Sequence, residues 1–371
     1  MTYSGSSKKL FLVVFAALVL LHAFAVSSSR LLPFTDLPNH LAASTIARHY
    51  GEFGTEFAKY FSVDLFPKPN VLHIVFCSSK IFPSVETANR IWYFLYVLLL
   101  PLSVLLLIRR LGGTLWPAVL SLLFLYSYSV CWGFAGYTMA IPLVLLSAWA
   151  SAGMAMNSGR SGMRNAAASV SLLLLLFFAH ALAAIFATLI HLVFIAFARN
   201  TRPLRKAANC LTTVPALAML AVWWLYGRSF WFGPSASEHL AVYYSGEFFK
   251  AFPDRWKILF IDNYNVLSGT TAVVVGTAFS LIIIAAAAIP LIRKQKDAAL
   301  RPEGTRYALL LLAASLACYL FLPKDLPGQA ILAQRFSVFV MLSLVIVAGI
   351  LWKGRRSSLV RAVATVVCLA H

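Results

Sequence analysis

Lys8–Val26 reads KKLFLVVFAALVLLHAFAV, and this stretch decides the class of fold. Two lysines open it, and no Asp, Glu, Lys or Arg interrupts the apolar run that follows from Leu10. Carried to residue 29 as a helix, the run spans roughly 30 Å, the thickness of a bilayer's hydrocarbon core. Ala23-Phe24-Ala25 after a charged start also fits a signal-peptide cleavage site. The run is longer than a usual signal h-region and many more apolar runs follow, so an uncleaved first helix is expected, with Lys8 and Lys9 cytoplasmic.

Working outward, the whole chain repeats this pattern. Its 371 residues are 61% hydrophobic and only 12% charged, well below the roughly 25% charge of an ordinary soluble domain. The apolar runs are separated by short polar breaks, which predicts an all-α polytopic membrane protein. The net charge of +19 could suggest a nucleic-acid partner. The basic clusters instead fall in short inter-helix loops, where Lys and Arg orient membrane spans, so no nucleic acid is expected. Cys77, Cys131, Cys210, Cys318 and Cys368 form no CxxC and no paired framework, and are expected to be packing residues.

Charge also fixes the expected topology. The first span (about 10–29) leads to an outer loop of some sixty residues, 30–90, holding Asp36, Glu52, Glu56, Asp64 and Glu86. The second span (about 91–108) returns to Arg109-Arg110, and spans three and four (about 114–131 and 136–154) return to Arg160 and Arg164. Residues 166–198 would measure about 50 Å as one helix, too long for one ordinary crossing. Basic residues flank both ends, so the segment is expected to form two short spans turning outside near His180. Span seven (about 207–227) leads to a second large outer loop, the fourth, at 228–268. Span eight ends at Arg293-Lys294-Gln295-Lys296, span nine at Pro323-Lys324-Asp325, and span ten at Lys353, Arg355 and Arg356. The apolar tail 358–371 begins an eleventh, and a longer native chain is expected. The expectation is a single transmembrane domain of ten to eleven helices.

Ten of the twelve acids fall on the outer side of this scheme, Asp36 first among them. Asp36 can be read as the N-cap of a helix starting near Leu37, its carboxylate accepting backbone N–H groups. It can also be read as a general base, because His40 lies one helical turn along and can orient it or share a proton. An amphipathic helix over 41–50 is expected on the membrane surface, with Pro38 near its start and Gly51 after its end. His180, inside an apolar run, is a candidate substrate-binding residue at the outer turn, whereas His191 is expected to hydrogen-bond a neighbouring helix. Trp132, Tyr137, Trp223, Trp224, Tyr226, Trp231, Tyr243 and Tyr244 fit an interfacial aromatic belt, from which Tyr137 is singled out as able to line a sugar or prenyl groove.

An N-terminal span, a large first outer loop opening on an acid and a sizeable fourth outer loop resemble the GT-C glycosyltransferases. The stretch Asp36-Leu37-Pro38-Asn39-His40-Leu41-Ala42 looks like the acidic motif of bacterial members and their uncharacterised relatives. The topological likeness covers roughly the first 230 residues; in sequence it is confined to that motif. Many members carry a second acid there, and Asp36 has no acidic neighbour. The resemblance implies a bacterial cytoplasmic-membrane enzyme taking sugar from a polyprenyl-phosphate donor, with membrane lipids around it and with a divalent metal as one possible cofactor. Asp36 would deprotonate the acceptor hydroxyl. Arg335, at the outer mouth of span ten, is the best placed to grip the leaving phosphate with its forked guanidinium, with Lys324 and Arg228 behind it. An interfacial arginine extending to headgroups is the plain alternative for Arg335.

Two other functions fit the same composition. A carrier or flippase for a lipid-linked or small anionic substrate would favour ionisable residues at the bilayer midplane, and the spans here are nearly free of charge. A non-catalytic assembly subunit would need no second acid beside Asp36. The chain contains no nucleotide-binding glycine motif, HExxH or GxSxG.

Overall fold

The computed structural model describes residues 5–64, 68–157, 159–199, 201–231, 244, 252–264, 269–292, 302–325 and 331–352. All the regular elements among them are helical. This follows from composition, because an apolar run that leaves water must satisfy its backbone N–H and C=O groups within itself. The helices are α1 (Gly5–Ser28), α2 (Leu37–Arg48), α3 (Phe57–Tyr60), α4 (Leu72–Ser78), α5 (Val85–Arg110), α6 (Tyr128–Cys131), α7 (Ala135–Met156), α8 (Gly159–Ala179) and α9 (Ala181–Ala196). They continue with α10 (Pro203–Cys210), α11 (Val214–Trp231), α12 (Phe252–Phe260), α13 (Gly269–Ile292), α14 (Pro302–Phe321) and α15 (Ser337–Leu351).

Among the described residues, seven helices are long and apolar enough to cross a membrane: Lys8–Ser28, Val85–Arg110, Ala135–Met156, Gly159–Ala179, Pro203–Tyr226, Glu303–Phe321 and Gln334–Leu351. Trp116–Cys131, Ala181–Ala196 and Val273–Ile289 are shorter apolar helices. A helix therefore stands at each of the ten stretches expected to cross. The tail 358–371 lies outside the described residues, as do most of residues 232–251 in the fourth loop.

The chain divides into two compact units. One comprises Met1–Leu18, Pro101–Ser129 and Leu225–His371, the other Val19–Leu100 and Val130–Trp224. In the first, α15 is buried along its length and packs against α13, α14 and a 3₁₀ helix, Trp116–Phe124. Close approach is made possible by Gly349 and Gly113: a Cβ on Gly113 would lie 2.6 Å from the Gly349 carbonyl oxygen. Thr114 Oγ1 then donates to the carbonyls of Gly349 and Trp352, both at 3.1 Å.

In the second unit α7 packs against both α8 and α9. Its N-terminal end lies beside the end of α8, where a Cβ on Gly136 would meet the Ala179 carbonyl oxygen at 2.5 Å. Its C-terminal end lies beside the start of α8, where Gly153 abuts Asn165, and near the end of α9, where Thr201 Oγ1 donates to Ala155 at 3.2 Å. So α8 runs antiparallel to α7, α9 runs parallel to it, and residues 166–198 form a hairpin. The turn is a single extended residue, His180, with φ −167° and ψ 119°. His191 bonds neighbouring segments, with Nδ1 2.8 Å from Ser151 Oγ and Nε2 3.1 Å from Thr212 Oγ1.

The loop between α1 and α5 gathers at one end of this hairpin. Trp92 Nε1 donates to the Ala135 carbonyl at 3.0 Å, and the backbone N–H of Ala181 donates to Asn70 Oδ1 at 3.0 Å. Asn70 adopts φ +65°, a left-handed conformation that Asn tolerates better than most residues. At the opposite end Arg205 donates to the Asn157 carbonyl at 2.5 Å, close to Arg160 and Arg164 in the chain. Acidic loop and arginine cluster are thus separated by the length of α7, about 33 Å.

Candidate functional site in the first long loop

Two consecutive backbone bonds fix the start of the loop. Thr35 N–H donates to the Cys131 carbonyl at 3.1 Å and Asp36 N–H to the Trp132 carbonyl at 2.9 Å. The contact depends on Gly133, whose φ of +84° disfavours side chains and whose added Cβ would lie 2.7 Å from the backbone nitrogens of Asp36 and Leu37. Helix α2 begins immediately afterwards, four residues earlier than the expected amphipathic helix, because Pro38 is accepted in a first turn. It packs against α4 with Ser44 fully buried.

Asp36 occupies the N-cap position but its side chain makes no capping bond. Its φ of −94° and ψ of −3° differ from the extended backbone of a capping residue. Oδ1 instead accepts from Asn39 Nδ2 at 2.7 Å, and Oδ2 lies 3.5 Å from His40 Nε2. The two side chains are 38% and 28% exposed, so the pair sits at the edge of water. Burial lowers the pKa of His40 and the Asp36 carboxylate partly opposes this, leaving a net reduction.

Each of the other four acids of the loop has a Lys or Arg side chain within 4 Å. Glu52 meets Lys80 at 2.8 Å, Glu56 meets Lys59 at 3.8 Å, Asp64 meets Lys68 at 2.7 Å and Glu86 meets Arg30 at 3.5 Å. Asp36 is paired with an imidazole and an amide instead.

Behind His40 is a buried layer that sequence reasoning missed. The His73 ring stands edge-on to His40 at 5.7 Å and to Trp92 at 5.2 Å. His73 Nε2 lies 3.0 Å from Asn89 Oδ1 and 3.3 Å from Cys77 Sγ. Burial pushes His73 down to about 4, with the Asn89 hydrogen bond opposing, and pushes the Cys77 thiol up to about 12. The signal available in sequence was modest: His73 and Cys77 one turn apart on a short helix, and a polar Asn89 ahead of an apolar run. Among the described residues no three His, Cys, Asp or Glu side chains converge as a metal site.

Beside α2 lies a cavity of about 280 Å³ lined by Leu31, Leu37, Leu41, Thr45, Val85 and Glu86, among others. Its lining takes in Leu31 and Leu32 before Asp36 and Leu37 after it, but not Asp36 itself.

The remaining candidates fall into two groups. In the second unit Tyr137 and His180 form an edge-on ring pair at 5.0 Å. Both are buried, so His180 marks the expected turn but sits inside protein rather than at a water boundary, and Tyr137 is no belt residue. In the first unit Arg335 lies in the 3₁₀ turn Gln334–Phe336 that opens α15, and it is 6% exposed. Its segment is held by Ile331 N–H donating to Asp325 Oδ1 at 2.6 Å, and by Leu332 N–H donating to the Lys324 carbonyl at 2.6 Å. Ile331 has φ +59°, a strained conformation for a β-branched residue. The Lys324 side chain is exposed. Arg228 is in α11, and its side chain lies outside the described residues. No protein-family model, curated protein or solved structure matches the chain.

Proposed function

We propose that this chain is a membrane glycosyltransferase, moving a sugar from a polyprenyl-phosphate donor to an acceptor hydroxyl at the outer face of a bacterial cytoplasmic membrane. The observation that supports this most is the state of Asp36. Among the described residues it has neither a Lys or Arg partner nor a capping role, and it stands at the loop end of an apolar helical hairpin. A carboxylate so placed can accept a proton, and a lowered His40 pKa keeps its neighbour neutral at pH 7.

In the proposed reaction the acceptor O–H proton passes to Asp36 and the oxygen attacks the anomeric carbon. The bond from that carbon to the phosphate oxygen breaks, and polyprenyl phosphate leaves with an added negative charge. A guanidinium is the suitable clamp for that charge, and Arg335 is assigned the role on its chemistry and its place at a helix mouth. Lys324 and Arg228 are secondary candidates.

The test uses the full chain in proteoliposomes with radiolabelled polyprenyl-phosphate sugars and a panel of acceptors. Transfer by the parent protein and its loss in a folded Asp36→Asn variant would support the proposal. Movement of the intact labelled lipid between leaflets, with no transfer and no effect of Asp36→Asn, would overturn it in favour of a carrier.

A further inference from the structure

The first outer loop ends in a rigid apolar tip that its own core does not use. Phe53 is fully exposed, on a turn bracketed by Gly51 and Gly54, whose φ values are +77° and +84°. Ile81, between α4 and α5, is 82% exposed, and Tyr60 and Phe61 are 66% and 49% exposed. These side chains come from three segments that are tied together. Lys80 bridges to Glu52 at 2.8 Å, Arg48 donates to the Ser79 and Phe82 carbonyls at 2.8 and 2.7 Å, and Tyr50 Oη donates to the Phe61 carbonyl at 3.3 Å. The tip is therefore presented as a fixed shape.

Chain connectivity says what lies beside it. Ile81 is four residues before Val85, which begins α5, one of the helices suited to crossing a membrane. Even fully extended, four residues reach only about 14 Å, so the tip remains near the bilayer surface. Around it Lys59 and Lys80 are 64% and 69% exposed. Both lysines are shared with acids, Lys59 with Glu56 and Lys80 with Glu52, so the rim is charged without being strongly cationic. Exposed aromatic and aliphatic side chains inside such a rim suit the junction of acyl chains and headgroups, where lysine stems lie along apolar surface and the charged ends stay in water.

We propose that Phe53 and Ile81, with Tyr60 and Phe61 beside them, dip into the outer leaflet and hold the first loop against the bilayer. This does not depend on the transferase proposal. The test places an environment-sensitive nitrobenzoxadiazole label at Phe53→Cys, Ile81→Cys or Glu56→Cys in the full chain, native cysteines replaced by alanine. The protein is reconstituted into phosphatidylcholine vesicles with or without phosphatidylglycerol. Labels at 53 and 81 should show blue-shifted emission and lose intensity with lipids carrying a shallow doxyl group. The label at 56 should stay water-like and be quenched by iodide. Water-like emission at 53 and 81 would overturn the proposal. So would shielding without doxyl quenching, meaning that another part of the chain covers the tip, or energy transfer between copies at 53, meaning a second copy does. Should the cysteine-free protein fail to fold, a fluorescent amino acid introduced genetically at 53 or 81 gives the same readout.

Discussion

Asn39 Nδ2 donates to Asp36 Oδ1 at 2.7 Å, across the first turn of α2. The bond occupies the carboxylate in a direction a capping residue would not use, so Asp36 contributes little to helix stability. Asp36→Asn should change unfolding free energy by no more than about 0.5 kcal/mol, where loss of a true cap costs about 1 kcal/mol. Proposed transfer should fall by roughly 10²- to 10⁴-fold, the contribution of a positioned general base. Thermal unfolding in detergent beside a transfer assay checks both. A large loss of stability with little loss of rate would return Asp36 to a structural role.

Gly133 has no room to change. A methyl group there would lie 2.7 Å from the backbone nitrogens of Asp36 and Leu37, at a φ of +84°. Gly133→Ala should therefore break the Asp36–Trp132 backbone bond and destabilise the loop by about 1–3 kcal/mol. Hydrogen exchange at the Asp36 amide is the direct measurement. An amide as protected as in the parent would contradict it.

His73 gives the loop an acid-sensitive step. Its folded pKa is lowered to about 4 from an ordinary value of 6.5, so between these values the unfolded state binds more protons than the folded one. Its contribution is complete above about 6.5 and is lost as pH falls toward 4, by at most about 3 kcal/mol at 1.36 kcal/mol per unit. His40 acts in the same direction. Glu52, held at about 2 by Lys80 and His49, contributes above its ordinary 4.5 and is lost as pH falls from there toward 2. His73→Gln should flatten the stability profile between pH 6.5 and 4 and leave the lower limb intact. An unchanged upper limb would show that other groups cause it.

The helices were legible because apolar run length and loop charge are local signals. The hairpin at 166–198 shows this best. Length excluded one crossing, basic residues at both ends demanded an even number, and the turn falls at His180. Burial of His180 was not legible, because it depends on Tyr137, which is remote in sequence. The Asp36–His40 pair followed from helical spacing alone. The Trp132 carbonyl that pins Asp36, and the His73–Asn89 layer behind His40, join segments from 16 to 96 residues apart and leave no periodicity to read. The pairing of Glu52 with Lys80 and of Glu86 with Arg30 was equally hidden, whereas Glu56–Lys59 and Asp64–Lys68 are local spacings; together these pairs set Asp36 apart.

Sidedness can be tested without any activity. The second unit puts the first loop and the Arg160–Arg164 and Arg199–Lys206 clusters at opposite ends of α7. Cysteines engineered at Glu56 and at Arg164 should react with a membrane-impermeant maleimide from opposite sides of sealed vesicles. Cys77, buried and with its thiol pushed up to about 12, should remain unlabelled until the protein unfolds. Labelling of 56 and 164 from one side would end the two-sided arrangement.

Arg335 offers the sharpest division between a structural and a substrate-gripping guanidinium. It is buried at the opening of α15, next to Ser337, whose hydroxyl donates to Asn263 Oδ1 at 3.0 Å. A forked guanidinium can hold two oxygens of one phosphate, and a lysine at the same place supplies charge without the fork. In the proposed transfer, Arg335→Lys should raise the KM for the polyprenyl-phosphate donor by about 10- to 100-fold, equivalent to one charge-assisted hydrogen bond of 1.5–3 kcal/mol. The KM for the acceptor should not move, because that hydroxyl is assigned to Asp36. If Arg335→Lys instead lowers the unfolding temperature and leaves both KM values alone, the guanidinium holds the helix mouth together, and the phosphate clamp must be sought at Lys324 or Arg228.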